Sequence, residues 1–352
     1  SIKNAKISKN IGRYYEIEQI NNQYIDHNSK WSFKIKLEKN KYNTYNISSG
    51  LEGAFCIQEN HKILKIKINK LKFERLIKEK KYNLISNIPI KIPIIPEPNI
   101  YKQKNDYCNC RKGFYIKNKK NKKIFNDVRK IIGKNNYFFK RKNGLKIIFF
   151  NSKYNKEDYK IIISNKLIKI YSNTEIGIFY SFISLMQLVN VSEGIIKQGV
   201  IKDGPRFSWR GMHLDCARQF YPVSKILKLL NFMALFKLNR FHWHLTDNEA
   251  WRLELSCFPN LARDLSFRGY NQQVPGTYGG GIGPTGGYYS KNDVKKIINH
   301  AKKLSIEVMP EIDIPSHSWA LINNLKKLQE KNDLSWKDYK GTYKNNTLNP
   351  GL

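Results

Sequence analysis

A chain of 352 residues with 63 Lys+Arg against 28 Asp+Glu carries a net charge of +35, at 41% hydrophobic and 13% aromatic content. At roughly 100–200 residues per domain this is two or three domains with a sizeable core, which excludes a wholly disordered chain. No run approaches the ~18 uninterrupted apolar residues that a membrane helix needs.

The charge does not read as a nucleic-acid footprint. Of the 63 basic residues 51 are Lys, among abundant Asn and Ile, a pattern of drift toward A/T-rich codons that adds solvated charge without selecting a partner. Residues 1–203 hold 42 basic and 16 acidic side chains, residues 204–352 hold 21 and 12, yet seven of the twelve Arg fall in the second part. Residue 1 is Ser with no charged-then-apolar leader after it, so a signal peptide is expected to be absent or removed. Five cysteines are too few and odd in number for a disulfide framework, and Cys108-Asn-Cys110 lacks the second pair of a zinc site.

In chain order, residues 1–92 read as a β-rich domain. Trp31, Phe33, Ile35 and Leu37 alternate with polar residues, as do Leu64, Ile66 and Ile68. The proline-rich run from Ile88 to Pro98 is a stiff linker. Residues 93–203 read as a small α+β domain. It begins with a helix carrying Ile124, Phe125, Val128, Ile131 and Ile132, closed by Gly133. Strand-like runs Leu145–Phe150 and Tyr159–Tyr171 follow, the second broken at Ser164-Asn165. Ile176, Phe179, Tyr180, Ile183 and Met186 then form a helical stripe capped by Asn173 or Thr174.

From residue 204 the rhythm is strand, helix, strand, helix. Strands are expected at Arg210–Cys216, Arg240–Leu245 and Ile306–Pro310. Helices are expected after Pro222, after the cap Ser290, and around 319–330. Such alternation implies parallel strands with crossover helices, and three units fall short of the about 250 residues of a closed eight-fold barrel. The fold class is α/β: a partial (β/α)8 barrel over residues 204–352, behind the α+β and β-rich domains.

A barrel keeps its chemistry at the C-terminal ends of its strands. Three polar stretches are expected there: Trp209–Asp215, Phe241–Asp247 and Val308–His317. His242 and His244 share one strand face by the period of two, a pairing that metal-dependent barrel hydrolases use. Further ligands from other strands would be needed, and packing or hydrogen bonding inside the barrel is the preferred reading. Asp215, Glu311 and Asp313 are site wall or structural acids. Gly281-Ile-Gly-Pro-Thr-Gly286 fits G-x-G-x-x-G but follows no strand, so it reads as a mobile loop near the cleft and not as a phosphate cradle.

Three segments carry a resemblance. They are Arg210-Gly-Met-His-Leu-Asp215 with Arg218, Asn239-Arg-Phe-His-Trp-His-Leu-Thr-Asp247 with Trp251-Arg252, and Pro310-Glu-Ile-Asp-Ile-Pro-Ser-His317. Together they resemble the first three barrel segments of family-20 glycoside hydrolases, the β-N-acetylhexosaminidases. Phe179-Tyr-Ser-Phe-Ile-Ser-Leu-Met-Gln-Leu188 is similar to the helix ending the small domain before that barrel.

The resemblance implies exo-hydrolysis of terminal β-linked N-acetylhexosamine by a substrate-assisted retaining mechanism. It implies a glycan partner, no nucleic acid, and no metal or organic cofactor. Arg210 would hold the hydroxyls of the terminal sugar, with a salt bridge to Asp215 as the alternative. Asp247 and His317 would form a relay to the general acid, and Ser316, where the family usually has Gly, would rebuild the loop slightly. The acid itself belongs to an Asp-Glu pair on the fourth barrel strand. No such pair occurs after Gly204, so residues 1–352 alone are expected to be inactive, as a fragment of a longer enzyme or a decayed gene product.

Overall fold

The structure is a computed structural model. It describes residues 93–131, 137–269 and 284–325, shorter stretches between residues 2 and 65, and residues 272, 274 and 346–348. Among the described N-terminal residues are three antiparallel pairs. β1 (Ile2–Lys3) pairs with β4 (Lys34–Ile35), β2 (Ala5–Ile11) with β3 (Tyr14–Gln19), and β5 (Phe55–Ile57) with β6 (Ile63–Lys65). Trp31, Phe33, Leu37, Ile66 and Ile68 lie outside the described residues, as do Ile132 and Gly133.

A six-stranded mixed sheet follows, in the order β7 (Ile100–Asn109), β12 (Ile195–Asp203), β10 (Tyr159–Ile163), β11 (Leu167–Ser172), β9 (Leu145–Phe150) and β8 (Phe114–Tyr115). Strands β10 and β11 alternate strictly between buried and half-buried residues, which is why their pattern was legible. Strand β7 is an edge strand exposed along most of its length, so its sequence shows no period of two.

Two helices cover this sheet. Helix α1 (Lys119–Ile131) buries Phe125, Val128 and Ile131. Helix α2 (Glu175–Val191) starts at Thr174, whose Oγ1 accepts from the Gly177 amide at 3.2 Å. It is apolar nearly all round, with Phe182, Ile183, Leu185 and Met186 fully buried, because it is enclosed on every side.

The second half holds three parallel strands, β13 (Gly211–Asp215), β14 (Arg240–His244) and β19 (Glu307–Glu311), in the order β13-β14-β19. Helix α3 (Val223–Leu235) connects the first two and buries Ile226, Leu230 and Met233. Helices α4 (Leu261–Leu265) and α5 (Lys291–Lys303) precede the third, and α5 packs against it. Helix α5 opens with a capping box in which Ser290 Oγ accepts from the Asp293 amide and Asp293 reaches back to the Ser290 amide. Helix α6 (Trp319–Asn324) follows β19, and the rest of its expected span lies outside the described residues.

Phe241 and Trp243 turn outward into the helices and are fully buried, which leaves His242 and His244 on the inner face. One apolar cluster runs from Ile94 through Phe182 to Trp243 and Ile306, so sheet and barrel share a core. Gln187 on α2 pins the join. It donates to the carbonyls of Ile95 at 2.9 Å and Leu235 at 2.8 Å and accepts from the Ile95 amide at 2.8 Å.

Candidate active site

The strand register sets the site. Asp215, His244 and Glu311 are lateral neighbours at the C-terminal ends of β13, β14 and β19. Just beyond β14 the chain makes a small hairpin, β15 (Thr246–Asp247) against β16 (Ala250–Trp251), which brings Asp247 back over the strand ends.

Asp247 is the hub. Its side chain is only 1% exposed, and both oxygens are occupied. Oδ1 accepts from the Asn248 amide at 2.7 Å and lies 3.1 Å from His317 Nδ1. Oδ2 lies 2.5 Å from Arg218 Nη2 and 3.0 Å from His244 Nε2. Burial by itself would raise the carboxyl pKa, but the His244 bond, the Asn248 amide, Arg218 and His317 outweigh it and hold Asp247 below the usual value. Burial opposes charge on His244 too, yet Asp247, Glu311 and Asp215 lift its pKa to about 9. At neutral pH the centre is a buried carboxylate between an imidazolium and a guanidinium.

His317 stands on the outer side of this hub with its side chain 46% exposed, and Nδ1 turned to Asp247 leaves Nε2 for the cleft. Its φ is +54°, whereas Ser316 has no positive φ, so the Cβ of Ser316 does not obstruct the turn as the sequence suggested. The loop is tied by Asp313 N–H to Thr246 Oγ1 at 2.8 Å and Ser318 N–H to the Asn346 carbonyl at 2.7 Å.

Arg210 requires a correction. It lies before β13, at the N-terminal end, roughly 16 Å along the strand from Asp215 at ~3.3 Å per residue. Its fork is committed elsewhere: Nη1 and Nη2 donate to Glu157 at 3.0 and 3.2 Å, Nη2 to Tyr180 Oη at 3.1 Å, Nε to the Lys237 carbonyl at 2.8 Å and Nη1 to the Phe207 carbonyl at 2.8 Å. It joins the α+β half to the bottom of the barrel beside a cavity of about 430 Å³, away from the strand ends where Asp215, Asp247 and His317 lie. Nor does it bridge to Asp215, which pairs with Arg218 at 2.8 Å. Arg210→Lys should therefore lower the melting temperature while leaving N-acetylglucosamine affinity unchanged, because Lys cannot serve four acceptors. A thermal melt beside a sugar titration checks it, and a loss of affinity alone would restore Arg210 to the sugar.

Arg218 is the arginine at the C-terminal end of the strands. The side chain is 36% exposed, its Nη1 bonds Asp215 and its Nη2 bonds Asp247. Asp215 Oδ1 also accepts the amides of Ala217 and Arg218, which turns the chain sharply so that Arg218 faces inward. The sequence offered one signal for it, the D-x-x-R spacing that such a turn needs. Arg252, from the second motif, lies beneath this turn. It is 1% exposed and donates only to carbonyls, those of Cys216 at 3.0 Å, Ala217 at 2.9 Å, Gly287 at 3.0 Å and Ser266. The described end of the glycine run packs under it: β18 (Thr285–Gly286) pairs with β17 (Phe267–Arg268), and a Cβ on Gly286 would clash with the Ser266 carbonyl. That end is a short strand; residues 275–283 lie outside the described residues.

Two family models match consecutive parts of this chain: "Glycosyl hydrolase family 20, domain 2" over residues 91–204, and "Glycosyl hydrolase family 20, catalytic domain" over residues 207–352. This chain belongs to glycosyl hydrolase family 20. Among its relatives, a β-hexosaminidase of Vibrio furnissii is 37% identical over 197 residues, which is 55% of this chain and 32% of that one. The N,N'-diacetylchitobiase of Vibrio harveyi is 38% identical over 179 residues, 48% of this chain and 20% of that one. A crystal structure of a family-20 exo-β-N-acetylglucosaminidase from Vibrio harveyi, in complex with N-acetylglucosamine, superposes with a TM-score of 0.79 at 25% identity. It covers all of this chain and 56% of that one. The family-20 chain thus spans a third or less of those curated relatives and about half of the solved structure, and its three βα units are the beginning of a (β/α)8 barrel.

Proposed function

We propose that this chain provides the arginine and the proton-tuning relay of an exo-β-N-acetylhexosaminidase site, acting on glycans that end in a β-linked N-acetylhexosamine. The observation that carries the reading is the convergence of Arg218, His244 and His317 on buried Asp247 at the C-terminal ends of three parallel barrel strands. The names of the relatives support the substrate class. Arg218 replaces Arg210 as the candidate for the sugar hydroxyls, since it is partly exposed beside the relay and its planar fork suits paired oxygen acceptors.

In the substrate-assisted scheme the acetamido oxygen of the sugar attacks C1 as the C1–O bond breaks, and a carboxylic acid gives its proton to the departing oxygen. Asp247 holds His317 through Nδ1, fixing the tautomer and presenting Nε2 to that acid. The acid and the carboxylate orienting the acetamido group are the Asp-Glu pair that the family resemblance puts on a fourth strand. None of these steps uses a metal or an organic cofactor.

Asp247→Asn and His317→Ala, singly and together in the gene product carrying these residues, are expected to lower kcat by about a hundredfold with little change in KM. They should also shift the acid limb of the pH–rate profile. The double variant should lose no more than the worse single one. Arg218→Lys should raise KM about tenfold, the loss of one charged hydrogen bond. Additive losses for the pair would separate Asp247 from His317 and overturn the relay.

A further inference from the structure

We infer that His213, His242 and Glu311 form a binding site for one divalent transition-metal ion of the zinc class on the inner face of the three barrel strands. The sequence pairing of His242 with His244 lacked partners from other strands; the register supplies them, with a different grouping. His213 and His242 are lateral neighbours on β13 and β14, their rings 4.7 Å apart and nearly perpendicular. Glu311 enters from β19. Its Oε2 lies 2.7 Å from His242 Nε2 and 3.7 Å from His213 Nε2, and the three donor atoms all fall within 4.8 Å of one another. Donors on adjacent corners of a tetrahedral zinc site, each ~2.0–2.1 Å from the ion, stand about 3.3 Å apart. The two observed edges bracket that figure, so side-chain rotation alone would admit an ion.

A second observation points to a ligand. Glu311 Oε2 is buried, and three imidazole nitrogens converge on it within 4 Å. His244 Nδ1 approaches it to 2.9 Å from a side chain only 4% exposed. A cation among these donors would take the Glu311 oxygen and the rings of His213 and His242 as ligands. Two imidazoles and one carboxylate favour zinc, cobalt or nickel over magnesium or calcium, which take oxygen donors. Behind the triad, His244 sits between Glu311 and Asp247 and supplies the outer support that metal ligands usually have. The ion would tie three strands together, and the inference stands apart from the glycosidase reading.

The test uses the full 352-residue chain freed of metal with a chelator. Cobalt(II) should bind one per chain and develop the visible absorption of a low-coordinate site, zinc should displace it, and magnesium should not. His213→Gln and His242→Gln should each weaken zinc at least about tenfold, whereas His300→Gln, whose ring bonds Asn231, should not. His213 is half exposed, so its replacement should leave the fold intact. X-ray absorption of the zinc-loaded wild type needs no variant and should give two imidazoles with oxygen. No saturable binding, unchanged affinity in both variants, displacement by magnesium, or sulfur ligation would each overturn the site.

Discussion

Asp247→Asn should destabilise the fold by about 3 to 5 kcal/mol at neutral pH, the usual cost of removing one partner from a buried ion pair. The substitution keeps the shape and an acceptor for the Asn248 amide, but it sets an amide NH2 or a neutral oxygen against Arg218 and His244, which keep Asp215 and Glu311 as counter-charges. The pH dependence follows from the depressed carboxyl pKa. A carboxylate held below its ordinary value of 3.8 stabilises the folded state above that pH and loses its contribution as pH falls through the lower, folded value. Wild type and variant should therefore differ most at pH 6 to 7 and converge in acid. Urea denaturation of both proteins at several pH values measures this directly; a gap that stays constant below pH 4 would mean that Asp247 acts through shape and not through charge.

Arg252→Met should cost about 4 kcal/mol. The guanidinium has no carboxylate hydrogen-bonded to it; it serves four backbone carbonyls, drawn from the turn after β13, from Ser266 and from Gly287. Burial first, and then the neighbouring Arg268, pull its pKa down to about 10, the mark of a cation kept in an expensive place for its geometry. Met fills the volume and gives back none of the donors, so several buried carbonyls lose their partner at about 1–3 kcal/mol each. Because two of those carbonyls belong to Cys216 and Ala217, immediately before Arg218, the variant should also loosen the site. Thermal unfolding and limited proteolysis around residues 266–287 test both parts. A variant melting with the wild type and cleaved no faster would show that the clamp is dispensable.

Arg210 and Arg218 show where reading along the chain stops being enough. Both are arginines beside Asp215 in one motif, and a linear sequence does not say which end of a short strand each occupies. The strand begins at Gly211, and that one-residue boundary sends Arg210 down to Glu157 and Tyr180, while the Asp215 turn sends Arg218 up to Asp247. A similar limit applies to the metal triad. The H-x-H spacing was visible, but the choice of His213 over His244 as the partner of His242 depends on lateral register between strands 29 residues apart in sequence.

The sequence by itself determined the α/β class, the strand-like runs that form β9, β10 and β11, a cap at Asn173 or Thr174 and one at Ser290, the helices after Pro222 and Ser290, and the family to which the motif order points. These are local properties, set by side-chain periodicity and by hydrogen bonds spanning a few residues. Tertiary structure alone decided that edge strand β7 joins the sheet, that α2 is buried on every side, and which charges meet at Asp247. The reason is physical: Asp247 and His317 are 70 residues apart, and their 3.1 Å contact exists only because parallel strands packed under a shared apolar core bring those loops to the same end.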